Sequence, residues 1–158
     1  MSALLTRKPP GSHDVPTGTR AVFLAGSIDM GAAEDWQAKL VSRLEDLPVV
    51  ALNPRRDAWD ASWVQRMANA EFRAQVEWEL DGLALADVVA MWFAPESRAP
   101  ITLLELGLTA PTGKLVVGCP DGFYRKGNVE IVCARYGVPL LETFDAFVAE
   151  VRARLARA

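Results

Sequence analysis

Two glutamates stand where the hydrophobic pattern leaves little room for a solvated charge. Between Ala99 and Gly113 the only charged residue is Glu105, in Ala-Pro-Ile-Thr-Leu-Leu-Glu-Leu-Gly-Leu-Thr. That segment reads as a helix from Pro100 to Thr109, opened by a proline at a position that suits it. It is apolar nearly all round, so it is expected to be largely buried, with Gly107 permitting close helix packing. A carboxylate in such a helix needs a partner or a task, because desolvation otherwise neutralises it. The second case lies in a long helix expected from about Ala68 to Ala86. At about 100° per residue, Phe72, Val76 and Leu83 fall within roughly 40° of one another and define an apolar face. Glu79 lies about 20° from Phe72, inside that face, whereas Glu77 and Asp81 point the opposite way. Either glutamate could be a structural ion pair with a buried arginine. Two inward carboxylates at one site could instead do paired acid–base or nucleophilic work.

Composition restricts the alternatives. The chain has 158 residues, 17 Lys and Arg, 20 Asp and Glu, and a formal net charge of −3. This balance argues against a nucleic-acid polymer as partner and leaves a small-molecule ligand. One histidine, His13, and two cysteines, Cys119 and Cys133, leave almost nothing for a His-based triad or a zinc site. No metal and no cofactor is implied. No apolar run approaches the length of a membrane span. Met1 to Thr19 is too polar for a signal peptide and, with Pro9, Pro10, Gly11, Pro16 and Gly18, reads as a flexible arm ahead of a single domain over 20–158. The thiols are expected to be reduced and the location cytoplasmic.

Buried strands are expected at Arg20–Ala25, Pro48–Leu52, Asp87–Phe93, Lys114–Cys119 and Val138–Leu141. Helices should alternate with them at about Ala32–Leu47, Ala68–Ala86, Pro100–Thr109, Asn128–Tyr136 and Thr143–Ala158. The pattern implies an α/β fold, a five-stranded parallel sheet with helices on both faces. Ligands bind such sheets beyond the carboxyl ends of the strands, here the loops 26–31, 53–60, 94–99 and 120–127. The Gly26-Ser27 turn could present backbone N–H groups to an anion, but it continues into neither a P-loop nor a dinucleotide fingerprint. Arg55 and Arg56 could hold a phosphate or pair with Asp57 or Asp60. Trp59 or Trp63, in an irregular loop at the ligand edge, could stack on a base, although most of the tryptophans should be core or interface.

Phe23-Leu-Ala-Gly-Ser-Ile28, Asn53-Pro-Arg-Arg-Asp57, Ala86-Asp87 and Leu104-Glu-Leu-Gly107, taken in order, resemble the nucleoside 2-deoxyribosyltransferase superfamily, which also contains nucleoside 5′-monophosphate N-glycosidases. The resemblance implies a flavodoxin-like sheet and cleavage or transfer at an N-glycosidic bond. The family nucleophile falls on Glu105. A carboxylate that protonates or orients the leaving base, usually Asp, falls on Glu79. Phe23 takes the place of a common tyrosine near the sugar. Ser97 best matches a position that separates monophosphate from nucleoside specificity, at a spacing to Glu105 two residues longer than usual. Asp29 stands where monophosphate-specific members are basic. Asn128 matches a region that completes a neighbouring subunit's site, so a homodimer or higher oligomer is implied; by itself Asn128 could equally be a helix N-cap. Such chemistry needs Glu105 ionised and Glu79 protonated for part of the cycle, so their pKa values should be pushed apart. A hydrolase, or a non-catalytic nucleotide-sensing module on the same fold, are the competing readings.

Overall fold

The computed structural model describes residues 3–28, 34–57 and 60–157. In chain order the elements are β1 (Leu5–Arg7), β2 (Arg20–Gly26), α1 (Trp36–Leu44), β3 (Val49–Leu52), α2 (Ala70–Leu85), β4 (Val88–Trp92), α3 (Pro100–Thr109), β5 (Leu115–Gly118), α4 (Lys126–Tyr136), β6 (Leu140–Leu141) and α5 (Phe144–Ala156). All strand pairs are parallel, in the order β1-β3-β2-β4-β5-β6. The sheet therefore has six strands, not five. The sixth comes from the segment expected to be an arm: Leu5 pairs with Val50 and Arg7 with Leu52. Three residues at a sheet edge carry too short a pattern to be distinguished from a loop. Without that edge strand, the order is that of a flavodoxin-like sheet.

Strand alternation divides the core. Ala21, Phe23 and Ala25 of β2 and Val89 and Met91 of β4 face Trp78 and Leu83 of α2, Leu106 of α3 and Val129 and Cys133 of α4. Val22, Leu24, Val88, Ala90 and Trp92 face Trp36, Leu40 and Leu44 of α1 and Phe147, Val151 and Leu155 of α5. Helices thus cover both faces, which is why the central strands are apolar at every position after Arg20. Among the described residues, no helix is long and apolar enough to cross a membrane.

Helix boundaries follow their caps. Helix α1 starts at Trp36, where the Asp35 carboxylate accepts from the Ala38 N–H at 3.0 Å; Ala32, the expected start, lies outside the described residues. The amide of Asn69 caps α2 through the Phe72 N–H at 2.9 Å. Helix α4 begins at Lys126, whose Nζ reaches Asp121 at 2.6 Å and Glu142 at 2.8 Å. Asn128 therefore lies within the first turn and is not the N-cap. Gly137, at φ 66°, stops the helix in the left-handed region.

Candidate active site

Sheet order reverses beside β2: the chain goes first to β3 on one side and then to β4 on the other. A cavity of about 650 Å³ opens beyond the carboxyl ends of these strands, where such a reversal leaves a crevice. Gly26 and Ile28 from the end of β2, Pro54 to Arg56 after β3, and Glu96 and Arg98 after β4 contribute to its wall, with both α2 and α3 alongside. Gly26 is required by space, since a Cβ there would collide with the Trp92 carbonyl oxygen and the Trp36 ring.

Glu79 and Glu105 both line this cavity. Glu105 is 7% exposed, and burial, with Glu79 adding like charge, pushes its pKa up to about 8. Glu79 is pushed up to about 6 by burial, against the opposing influence of a hydrogen bond from Gln75 and the charge of Arg56. The two pKa values are separated, but in the order opposite to expectation. The two groups influence each other, so these values belong to the pair, which holds one proton between them.

Helix α3 is turned inside out relative to its expected role. Its buried residues are Thr102, Glu105, Leu106 and Thr109, while Ile101, Leu104 and Leu108 are 57%, 60% and 53% exposed. The exposed three, with Leu80 of α2, also form part of the cavity wall. The expectation of a largely buried apolar helix fails because Ile101, Leu104 and Leu108 face the cavity and the outside, while Thr102, Glu105 and Thr109 are buried beside Leu106. Gly107 is exposed, and no described residue outside the helix's own backbone comes within 4 Å of where a Cβ would sit, so it serves no close packing among the described residues. Helix α3 is launched from Ala99, which is held at φ 45° ahead of Pro100. On α2, Phe72 and Val76 likewise line the cavity and are only half-buried; the core face is Trp78, Gly82 and Leu83.

Of the other residues singled out from sequence, Gly26, Arg55 and Arg56 join the cavity wall. Arg55 also reaches the Glu34 carbonyl at 3.1 Å and Gln37 Oε1 at 3.2 Å. Arg56 lies over the Trp63 ring at 4.7 Å and donates from Nε to Gln75 Oε1 at 2.5 Å. Four of the expected ligand contacts are instead buried framework. Phe23 is fully buried against Trp78 and Gly82. Ser27 and Ser97 bond to each other through their hydroxyls at 2.5 Å, with Ser27 Oγ accepting from the Ala94 N–H and Ser97 Oγ donating to the Ala94 carbonyl. They clamp the loop after β2 to the loop after β4, and neither lines the cavity. Asn53, 4% exposed, closes a turn by accepting from the Arg55 N–H at 3.0 Å. Asn128 is exposed beside a separate hollow with Leu103 and Arg125. Trp59 and Asp29 lie outside the described residues.

Sequence reasoning missed Gln75, which is 2% exposed and bonded to Glu79, and Thr102, buried in the cavity wall. Both were within reach of the wheel that found the glutamates. Gln75 is four residues before Glu79 and Thr102 three before Glu105, spacings that share a helix face.

A family model described as nucleoside 2-deoxyribosyltransferase like matches residues 19–123. The chain belongs to this family. The match contains both glutamates of this deoxyribosyltransferase-like chain and ends before Asn128. A crystal structure titled conserved protein from Enterococcus faecalis V583 superposes with a TM-score of 0.59 at 15% identity, covering 86% of this chain and 99% of that one. At that identity the likeness speaks for the fold alone. No curated protein matches the sequence.

Proposed function

We propose that this protein cleaves or transfers at the N-glycosidic bond of a nucleoside or nucleoside 5′-monophosphate through a covalent glycosyl–Glu105 intermediate. The observation that carries the reading is the placement of two carboxylates with separated pKa values, Glu79 at about 6 and Glu105 at about 8, on one cavity at the ligand edge of the sheet. Coupled groups titrate as a pair, so between those values the pair holds one proton. One proton is what the reaction needs. A developing positive charge at the anomeric carbon favours an ionised Glu105, and the proton is then carried by Glu79. The Glu105 carboxylate attacks the anomeric carbon, the C–N bond breaks, and the base nitrogen takes the electron pair and the Glu79 proton. In the second step water or an acceptor base attacks the glycosyl ester, its proton passes to Glu79, and Glu105 leaves as the carboxylate. Water as acceptor gives hydrolysis and a base gives exchange.

Arg98 and Arg56 in the same wall support an anionic substituent such as a 5′-phosphate. The exposed Ile101, Leu104 and Leu108 at the cavity support a second copy of the chain covering this side, and Asn128, facing away from its own chain's cavity, suits a role toward a neighbour.

The test is a panel of nucleosides and 5′-monophosphates, with and without acceptor base, read by chromatography across pH. Turnover should follow a bell with limbs near 6 and 8: below the lower limb both groups are protonated and the nucleophile is lost, above the upper limb both are ionised and the acid is lost. Binding without turnover of any substrate would overturn the enzymatic reading in favour of a sensor.

A further inference from the structure

Gln75 sits at the centre of the only described contacts made by the Glu79 carboxylate. Its Nε2 donates to Glu79 Oε1 at 2.9 Å and to the Pro54 carbonyl at 3.1 Å, and its Oε1 accepts from Arg56 Nε. The orientation of this amide is not open to choice. Arg56 has only donors to offer, so it must meet the amide oxygen; the Pro54 carbonyl can only accept, so it must meet the amide nitrogen. The remaining N–H is thereby aimed at Glu79 Oε1, which is obliged to act as an acceptor. An oxygen accepting that bond cannot also donate into it.

We propose that Gln75 is a positioning residue for Glu79: its amide, locked by Arg56 and the Pro54 carbonyl, confines the Glu79 proton to Oε2, the oxygen with no described hydrogen bond. The inference rests on the proposed role of Glu79 as the acid of the reaction. A carboxylic acid that is free to put its proton on either oxygen spends part of its time with the proton turned away from the leaving group. Gln75 removes that loss. It also connects the Arg56 charge to Glu79, and that bond opposes the effect of burial on the carboxyl. The other charged groups sharing this wall are Glu105 on α3, Arg55 beside Arg56, and Glu96 and Arg98 before α3. A loop tether would need only the Arg56 and Pro54 contacts; the third contact, to Glu79, has no part in holding the loop.

Two substitutions separate these roles. Gln75→Met keeps the bulk and removes all three bonds. Gln75→Glu keeps the acceptor for Arg56, and so that part of the tie to the loop, but removes the donor to Glu79 and to the Pro54 carbonyl. Carboxyl-13C-labelled glutamate, with the Glu79 signal assigned by its loss in Glu79→Gln, reports the titration of Glu79 without any turnover. In both variants the Glu79 midpoint should move to higher pH. With a substrate found in the nucleoside panel, kcat should fall about tenfold or more in both variants, with KM changed by less than about threefold, the size expected for losing a hydrogen bond to a charged group. A Glu79 midpoint unchanged in Gln75→Met, or full kcat in Gln75→Glu, would overturn the proposal and leave Gln75 as a loop tether. Absence of turnover by the parent chain would count against the proposed function alone, since the titration still decides what Gln75 does to Glu79.

Discussion

Helices α3 and α5 belong to the same sheet and have opposite designs. The second is an ordinary amphipathic helix: it buries Phe147, Val148, Val151 and Leu155, and its charges pair at the surface, Arg152 with Asp46 and Arg154 with Glu150. The first buries Thr102, Glu105 and Thr109 and turns Ile101, Leu104 and Leu108 outward. Burial stabilises α5 through apolar area. Burial of α3 costs free energy at Glu105, whose carboxyl is pushed up to about 8 by desolvation and by the charge of Glu79. A helix built to stabilise a fold does not arrange its residues this way. The contrast sets α3 apart from the helices that only pack, and the proposed reaction rests on it: two carboxyls that share one proton can pass it between the roles of acid and nucleophile.

The largest effect that could break this contrast is on turnover. Glu105→Gln keeps the shape of the side chain and removes the nucleophile, so turnover should fall by at least about 10⁴-fold, as measured by base release. Activity surviving that change would sink the covalent mechanism. The same variant should alter stability in a way no residue of α5 can. A folded-state pKa raised from 4.5 to about 8 contributes stability that is fully present below the lower value and is lost as pH rises through the upper one. That displacement corresponds to on the order of 5 kcal/mol, with Glu79 adding a smaller contribution of the same sign. Thermal unfolding of the parent should therefore weaken from pH 5 to pH 9, and the slope should be much flatter in Glu105→Gln. Equal slopes in the two proteins would mean that Glu105 is ionised in the fold and that α3 is less unusual than it looks.

The same contrast explains what could be read from sequence. Helix periodicity, the proline that opens α3 and continuous apolar runs placed α2, α3 and the four central strands within a few residues. The two glutamates were legible as violations of that pattern. Three things were not. The edge strand β1 is too short for a pattern. Serines 27 and 97 look like ligand contacts because they sit in the right loops, yet their hydroxyls satisfy each other and the Ala94 backbone. The direction of the α3 face was misjudged because an apolar residue beside a cavity and one inside a core look alike on a helical wheel. Only the surrounding elements, which sequence periodicity does not supply, separate the two.

An intermediate effect concerns the outward face. If Ile101, Leu104 and Leu108 are covered by a second copy, Leu104→Lys places a charge in the middle of that contact and should shift the protein to monomers in sedimentation or light scattering. Turnover should fall with association, while the monomer should melt no lower than the parent's own monomer, since Leu104 is 60% exposed. A parent chain that is monomeric at working concentrations would leave the exposed leucines to the substrate alone.

The smallest effect is the most discriminating about how closely that face is approached. Gly107 stands in the interior of α3, where glycine is less favourable than alanine by about 0.5–1 kcal/mol. Among the described residues outside the helix's own backbone, nothing lies within 4 Å of the Cβ that alanine would add. Within one chain Gly107→Ala should therefore stabilise the fold by up to about 1 kcal/mol, visible as a small rise in the unfolding midpoint. A partner whose backbone came close to α3 at this point would reverse the sign: the methyl group would be tolerated by the monomer and resisted by the assembly, and association would weaken while the monomer gained stability. Measuring both quantities on one variant thus distinguishes a helix that lies against a partner through its leucines from one that is met at its glycine.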